Sequence, residues 1–387
     1  MAPKQVKAAV MLGPHRMETQ YFPYPELHDD NAMILKMEMS GICGTDKHTY
    51  DGRSKQYAGT PAETDTPFPI IPGHENVGIV AEIGKNAAKH MEYNGNELKP
   101  GDRVTMSPDL VCGECWYCRH TFGYPWCDHI KAYGNAFSTT EKPSLFGGWA
   151  EYMYIKPGTF VYKVPDDVPP EVAVFTEVFT VSYALDRAKE GYALCNQGFS
   201  PADTVVVQGV GPMGLSNVIK ARIEGAGTII AIDKSQFRLN LAAEMGADIL
   251  LNVNDTTAEE RIAKIRELTG GRRGADVVVE ATGSPHSVVE GLEFTRKGGC
   301  YIEAGNFVDC GSTEININRL MTSKNIRLFG VTNHPFTHYG QSLKLFEKYA
   351  KWIPFHKIVT HHFKIDDAEQ GLIRSTQPDT MKVVIEP

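Results

Sequence analysis

The 387-residue sequence contains no apolar run near the ~20 residues that a membrane-spanning helix needs. Its opening, Met1-Ala2-Pro3-Lys4-Gln5-Val6-Lys7, has no apolar core of the kind a secretory signal carries. These absences predict a cytoplasmic protein with no membrane partner. No basic stripe stands out, and the net charge of -8 with a pI near 5.9 argues against nucleic acid as a partner. Internal repeats and low-complexity tracts are also missing. Cysteine is sparse, with eight in the chain, and half of them crowd together as Cys112, Cys115, Cys118 and Cys127. Such crowding suits a metal in a reducing compartment better than a disulfide framework. Cys195, Cys300 and Cys310 read as ordinary buried or half-buried thiols. What is present, 42% apolar residues over this length, is too much for one ordinary core and fits two.

The texture of the chain changes part-way along. As far as about residue 178, short Val/Ile segments are broken by Gly and Pro, as at residues 78–84 and 100–104, which predicts an antiparallel β region. Asn94-Gly95, between two such segments, predicts an exposed hairpin. From Asp203 the pattern becomes short apolar runs at residues 205–207, 228–232, 249–251, 277–279, 300–302 and 326–329. Helical spacing separates them, with Leu215, Val218, Ile219 and Ile223 on one face and Ile262 and Ile265 ahead of Gly270-Gly271. Strands buried on both faces and alternating with helices predict an α/β, doubly wound parallel sheet.

Gly209-Val210-Gly211-Pro212-Met213-Gly214 follows the first of these strands and opens the first of these helices, and Asp233 ends the second strand. In that context Gly209 permits a tight turn, Gly211 admits a pyrophosphate to the helix N-terminus, and Gly214 lets helix and strand pack closely. Asp233 would take the ribose hydroxyls, and a carboxylate repels a 2′-phosphate. NAD is therefore expected over NADP, although Lys234 and Arg238 stand nearby. A structural turn with an incidental acid is the competing reading.

Two clusters have metal-ligand chemistry. The spacing Cys112-x2-Cys115-x2-Cys118-x8-Cys127 offers four thiolates in one loop, enough to close a tetrahedral zinc shell with no open position. Unligated, it would be four oxidisable thiols in a loop. Gly41-Ile42-Cys43-Gly44-Thr45-Asp46 and Gly73-His74-Glu75 supply a thiolate and an imidazole beside a carboxylate. Glu177, within the apolar stretch 173–179, is the best third donor, because a carboxylate among Val and Phe is costly to bury unless paired or metal-bound. Glu75 stands behind the donors or replaces one. Water or substrate would take the fourth position.

These motifs, together with the closing Lys382-Val383-Val384-Ile385, make the chain resemble the medium-chain dehydrogenase/reductase family over nearly its whole length. The resemblance is to the zinc-dependent alcohol, polyol and threonine dehydrogenases. It implies a GroES-like, β-rich catalytic domain formed by residues 1–178 and 330–387, with a Rossmann domain of residues 179–329 inserted in it. It also implies an active site between the domains, two zinc ions per chain, NAD, and a homodimer or homotetramer. By resemblance Cys43, His74 and Glu177 are the catalytic zinc ligands and the four-cysteine loop holds a structural zinc. Thr45 lies beside the substrate oxygen, His48 is the proton relay, and the cofactor contacts run from Gly209 to Gly214 with Asp233, Lys234 and Arg238. Three features depart from the family pattern: Val178 follows Glu177 where Pro is common, the last gap of the cysteine loop is one residue longer, and the segment around Asn94 is extended.

The implied reaction is hydride exchange between NAD and a small alcohol, with a secondary alcohol, polyol, cyclitol or sugar expected. Alternatives from the residues alone stay open. His48 could be a plain surface histidine, Thr45 a backbone cap, and Asp46 a structural tie on its loop. The polar loop from Arg53 to Thr66 either borders the site or is simply solvated. A zinc-free reductase acting on an activated double bond and a non-enzymatic NAD-binding protein are the rival functions, separable by metal content and turnover.

Overall fold

A computed structural model describes residues 3–56, 63–121, 126–189, 198–270, 273–333 and 335–387. Cys195, Gly271 and part of the polar loop lie outside the described residues. The chain divides into two compact units: Met1–Thr180 with Pro335–Ala350 and Phe355–Pro387, and Val181–His334 with Lys351–Pro354.

The first unit is built on a mainly antiparallel sheet. Its strands run in the order Val161–Lys163, Arg103–Met106, Glu75–Ile83, Met33–Gly41, Lys382–Glu386 and Val359–Lys364, and Tyr152–Ile155 pairs beside Met33–Gly41. Along Met33–Gly41 the buried Met33, Leu35, Met37 and Met39 alternate with an exposed Lys36 and a half-buried Glu38, so one face is covered and the other meets water in part. Val6, Val10, Trp149, Leu372 and Ile385 pack in one core, and Leu35, Val80, Val104, Phe146 and Ile155 in another. Register matters most at the end of the central strand. Gly41 lies opposite Glu75 on one side and opposite Val384 on the other, and the Ile42 N–H donates to the Val383 carbonyl at 2.9 Å. Residues far apart in sequence therefore meet at one edge.

The expected hairpin at Asn94-Gly95 does not form. Its flanking segments are a helix, Lys85–His90, and a loop leading to Arg103–Met106. The tight turn is there, with the Gly95 N–H donating to the Glu92 carbonyl. The buried Glu92 carboxylate organises the rest by accepting the Asn96 backbone N–H at 2.8 Å and the amides of Asn94 and Asn96. A side-chain hub replaces the strand ladder, a distinction that turn chemistry alone cannot reveal.

The second unit holds six parallel strands in the order Ile249–Asn252, Thr228–Asp233, Thr204–Gln208, Ala275–Glu280, Thr295–Glu303 and Arg327–Gly330. The chain winds outward first on one side of Thr204–Gln208 and then on the other. The strand order therefore reverses at that strand, and the crevice at its carboxyl end is where such sheets bind ligands. Cys300 is buried in this sheet, as expected, but Cys310 is exposed.

Candidate active site

Cys43 caps the helix Gly44–Tyr50, directly after the central strand of the first unit. Its backbone N–H donates to the Asp46 carboxylate at 2.8 Å, so Asp46 is the structural tie considered from sequence. The same buried carboxylate accepts from the Gly73 backbone and lies 3.6 Å from His74 Nδ1. Asp46 thus binds together the loops that carry Cys43 and His74. Thr45 Oγ1 lies 3.8 Å from Cys43 Sγ. His48 follows three residues on and is half-buried. Burial, then the charges of Arg53 and Lys47, push its imidazole below the ordinary value.

Glu75 begins its strand opposite Gly41, and a Cβ on Gly41 would run into the Glu75 carboxylate. Glycine is needed at 41 for this close approach. Lys382 Nζ grips both Glu75 oxygens at 2.7 and 2.6 Å and also donates to the Ile42 carbonyl at 3.3 Å. Both side chains of the pair are buried. Cys43, His74 and Glu75 each bring a ligand atom within 4.8 Å of the others. Glu177, on the fully buried helix Thr176–Thr180, is outside that tight trio, though its charge acts on His74, Glu75 and Lys382. From sequence, Glu177 is the expected third donor and Glu75 stands behind the donors or replaces one; Glu75 lies within 4.8 Å of Cys43 and His74.

Two observations fit a divalent cation here. Among the described residues, His74 Nδ1 is buried with no hydrogen-bond partner, since 3.6 Å from Asp46 is too long for one. The pocket also gathers the carboxylates of Asp46, Glu75 and Glu177 and the Cys43 thiol around the buried ammonium of Lys382. Buried negative charge in such excess is costly. Burial accordingly drives the Asp46 and Glu75 carboxyls upward. Burial alone would lower the His74 imidazole, but Asp46, Cys43 and Glu177 outweigh it and hold it well above its usual value. A cation would meet the same demand without the protons, and a thiolate, imidazole and carboxylate are zinc donors.

The four loop cysteines form a second cluster, their sulfurs all within 4.8 Å of one another. Backbone N–H groups of Cys115, Cys118 and Cys112 point at the sulfurs of Cys112, Cys115 and Cys127 at 3.3, 3.4 and 3.3 Å. The Cys118 N–H, with other local donors, pulls the Cys115 thiol down to about 6, whereas burial pushes Cys127 up. N–H donors converging on sulfur favour thiolates, the form that binds metal.

In the second unit Gly209 takes φ 78°, and a Cβ on Gly214 would strike the Gly209 carbonyl. Gly211 caps the helix Pro212–Ile223 and Pro212 occupies its first turn, leaving the N-terminal N–H groups without a side-chain cap. The Met213 carbonyl accepts from Ser216 and Asn217 inside that helix. Asp233 accepts the Val210 and Ser235 backbone N–H groups, both at 2.8 Å. Its carboxylate therefore fixes the glycine turn as well as ending the second strand. Arg238 Nη1 lies 3.7 Å from where a Gly211 Cβ would be, and Lys234 is exposed on the same rim.

Lys382 had a sequence signal, a lone lysine in the apolar run 381–385, but nothing in the sequence pairs it with Glu75. The polar loop is a two-stranded ribbon, Lys55–Gln56 with Thr64–Asp65, where it is described.

Comparison with known proteins agrees with this architecture. Residues 29–166 match the family model described as alcohol dehydrogenase GroES-like domain, and residues 212–348 match the zinc-binding dehydrogenase model. The chain is 33% identical over 366 residues to 5-exo-hydroxycamphor dehydrogenase of Pseudomonas putida, covering 95% of this chain and 94% of that one. It is 31% identical over 389 residues to erythritol/L-threitol dehydrogenase of Mycolicibacterium smegmatis, covering 100% and 98%. The crystal structure of an alcohol dehydrogenase from Thermotoga maritima superposes with a TM-score of 0.87 at 29% identity, covering 99% of each chain. With both domain types matched and relatives aligned along its full length, this chain belongs to the zinc-dependent medium-chain dehydrogenase family and is a dehydrogenase acting on alcohols.

Proposed function

We propose that the protein is a zinc- and NAD-dependent dehydrogenase that interconverts a secondary alcohol, polyol, cyclitol or sugar with its ketone or aldehyde. We place it in the cytoplasm as a homodimer or homotetramer. The observation that carries the reading is the buried pocket of Cys43, His74, Glu75 and Glu177, whose negative charge exceeds what Lys382 supplies. Cys43, His74 and Glu177 would hold the catalytic zinc, Glu75 staying with Lys382 or serving as an alternate ligand. Cys112, Cys115, Cys118 and Cys127 would hold a structural one. When bound, zinc supplies Lewis-acid polarisation of the substrate oxygen and NAD accepts or returns the hydride.

The chain's own groups handle the proton. Thr45 and His48 are three residues apart on one helix and share a face. Thr45 Oγ1 takes the substrate's hydroxyl proton and passes one on towards His48, whose lowered pKa keeps it neutral and able to accept. Asp46 keeps the two ligand loops in register throughout. At the cofactor end, the Asp233 carboxylate beside the glycine turn favours a free ribose diol over a 2′-phosphate, supporting NAD.

The test is NAD+ reduction by zinc-replete protein across polyols, cyclitols, rigid cyclic alcohols and simple primary alcohols, with zinc-depleted and Cys43→Ala controls. The panel spans the hydroxycamphor and the erythritol/L-threitol named for the two relatives. Turnover confined to the zinc-loaded wild type is expected. Turnover that survives Cys43→Ala, or zinc removal from folded protein, would overturn the reading in favour of a metal-free reductase.

A further inference from the structure

Three strands of the second unit, Thr204–Gln208, Ala275–Glu280 and Thr295–Glu303, are neighbours in the parallel sheet and end at the edge where the glycine turn begins. Their last residues lie side by side, Gln208 opposite Glu280 and Glu280 opposite Glu303. Glu280 is 0% exposed, and its two carboxylate oxygens reach two loops. Oε1 accepts the Thr282 N–H at 2.7 Å and the Thr282 hydroxyl. Oε2 accepts the Gly283 N–H and, from the loop after the next strand, the Asn306 side-chain amide, both at 3.4 Å. The same amide donates to Glu303 Oε1 at 2.9 Å, as does the Asn306 backbone N–H at 3.0 Å. The loops approach closely enough that a Cβ on Gly305 would run into Glu280 Oε2. The first loop in turn leans on the glycine turn. The Ala281 N–H donates to the Gln208 carbonyl at 2.8 Å, and Thr282 Cγ2 lies 2.8 Å from where a Gly209 Cβ would be. These donors to Glu280 are all neutral, and burial pushes its carboxyl up to about 7, with Thr282 resisting and Glu303 adding to the rise. A cap for the end of one strand needs a single acceptor, which serine or asparagine supplies without a charge. A buried carboxylate that spans two loops beside the crevice is too costly for that task alone.

We propose that Glu280 is a positioning residue for the dinucleotide: its carboxylate ties residues 282–283 to Asn306 and through them holds the glycine turn in the shape that the dinucleotide needs. Glu303, which grips Asn306 from the other side, completes the tie. The inference rests on the reading of the glycine turn as the NAD site.

The readouts are NAD affinity by titration, steady-state KM and kcat, and hydrogen exchange at residues 209–211 and 281–284 in the dinucleotide-free protein. Glu280→Ala is expected to speed that exchange, to raise the Kd and KM for NAD about tenfold, and to leave kcat at saturating NAD within about twofold. Glu280→Gln, which keeps an acceptor for Thr282, should recover most of the affinity. Asn306→Ala, which detaches only the second loop, should weaken NAD binding about threefold in the wild type and add nothing in the Glu280→Ala background. Wild-type NAD affinity in folded Glu280→Ala would overturn the proposal. Should that variant not fold, wild-type affinity in both Asn306→Ala and Thr282→Val overturns it. A fall in kcat as large as the loss of affinity, unrecovered in Glu280→Gln, would mark a general structural role and overturn it as well. Wild-type protein that binds neither NAD nor NADP would sink the reading of the glycine turn and the role of Glu280 with it, a failure visible without any variant.

Discussion

At the scale of single residues, the pocket is governed by how its buried charges are matched. Lys382 and Glu75 are 1% and 0% exposed at the side chain, so neither has water to fall back on. Lys382→Met should leave Glu75 buried without its partner and lower stability by about 3–5 kcal/mol, read from urea unfolding. A loss under about 1 kcal/mol would mean that Glu75 finds another cation or takes up a proton at little cost. His48 offers a test by pH. Burial lowers its pKa from the ordinary imidazole value of about 6.5, so it is neutral at pH 7 and charged only in more acid solution. The kcat/KM for alcohol oxidation should therefore stay level from neutral pH downward until that depressed pKa is reached, and then fall as His48 loses its capacity to accept. His48→Ala should abolish this acid limb and slow oxidation by about 10²-fold. An unchanged profile in the variant would return His48 to the status of a surface histidine.

At the scale of elements, two loops do work that their strands and helices cannot. The glycine turn at 209–214 depends on the absence of side chains, because Gly214 has the Gly209 carbonyl where its Cβ would be. Gly214→Ala should push the helix Pro212–Ile223 off its strand and weaken NAD binding at least about tenfold by titration, with zinc content unaffected. Wild-type affinity in that variant would show that the helix can shift without disturbing the cofactor site. Among its described residues the four-cysteine loop has the short helix Trp116–His120 and little other regular structure, so a metal would supply most of its rigidity. Cys115→Ser should reduce bound zinc from two ions to one per chain by elemental analysis. It should also lower the thermal midpoint by several degrees, a shift of about 2–4 °C per kcal/mol in a unit of this size. The failed hairpin near Asn94 belongs to this scale as well. Asn94-Gly95 correctly marked a turn, but the partners that decide between hairpin and hub, Glu92 and Asn96, act through side chains.

At the scale of the whole molecule, the first unit is closed by the end of the chain while the second is contiguous apart from a short return. Lys382–Glu386 is an interior strand of the first sheet and also delivers Lys382 to the pocket. Removing residues 381–387 should therefore abolish turnover and retention of pocket zinc while dinucleotide binding survives, visible in calorimetry as loss of one transition with the other kept. Loss of NAD binding as well would show that the units do not fold independently. The sequence by itself determined the α/β class, the parallel sheet with its glycine turn, the antiparallel β region, and the residue types of both metal clusters. Each of these is written in local spacing: a hydrophobic period, a glycine at a turn, or cysteines two residues apart. Only the tertiary structure decided that Glu75 comes within 4.8 Å of Cys43 and His74, that Lys382 pairs with it, and that Glu177 sits on a buried helix from which its charge reaches His74, Glu75 and Lys382. Those facts depend on sheet register and helix packing between segments some three hundred residues apart in the case of Glu75 and Lys382. Burial, which sets the value of each charge there, is a property of the assembled core and is not encoded at any one position.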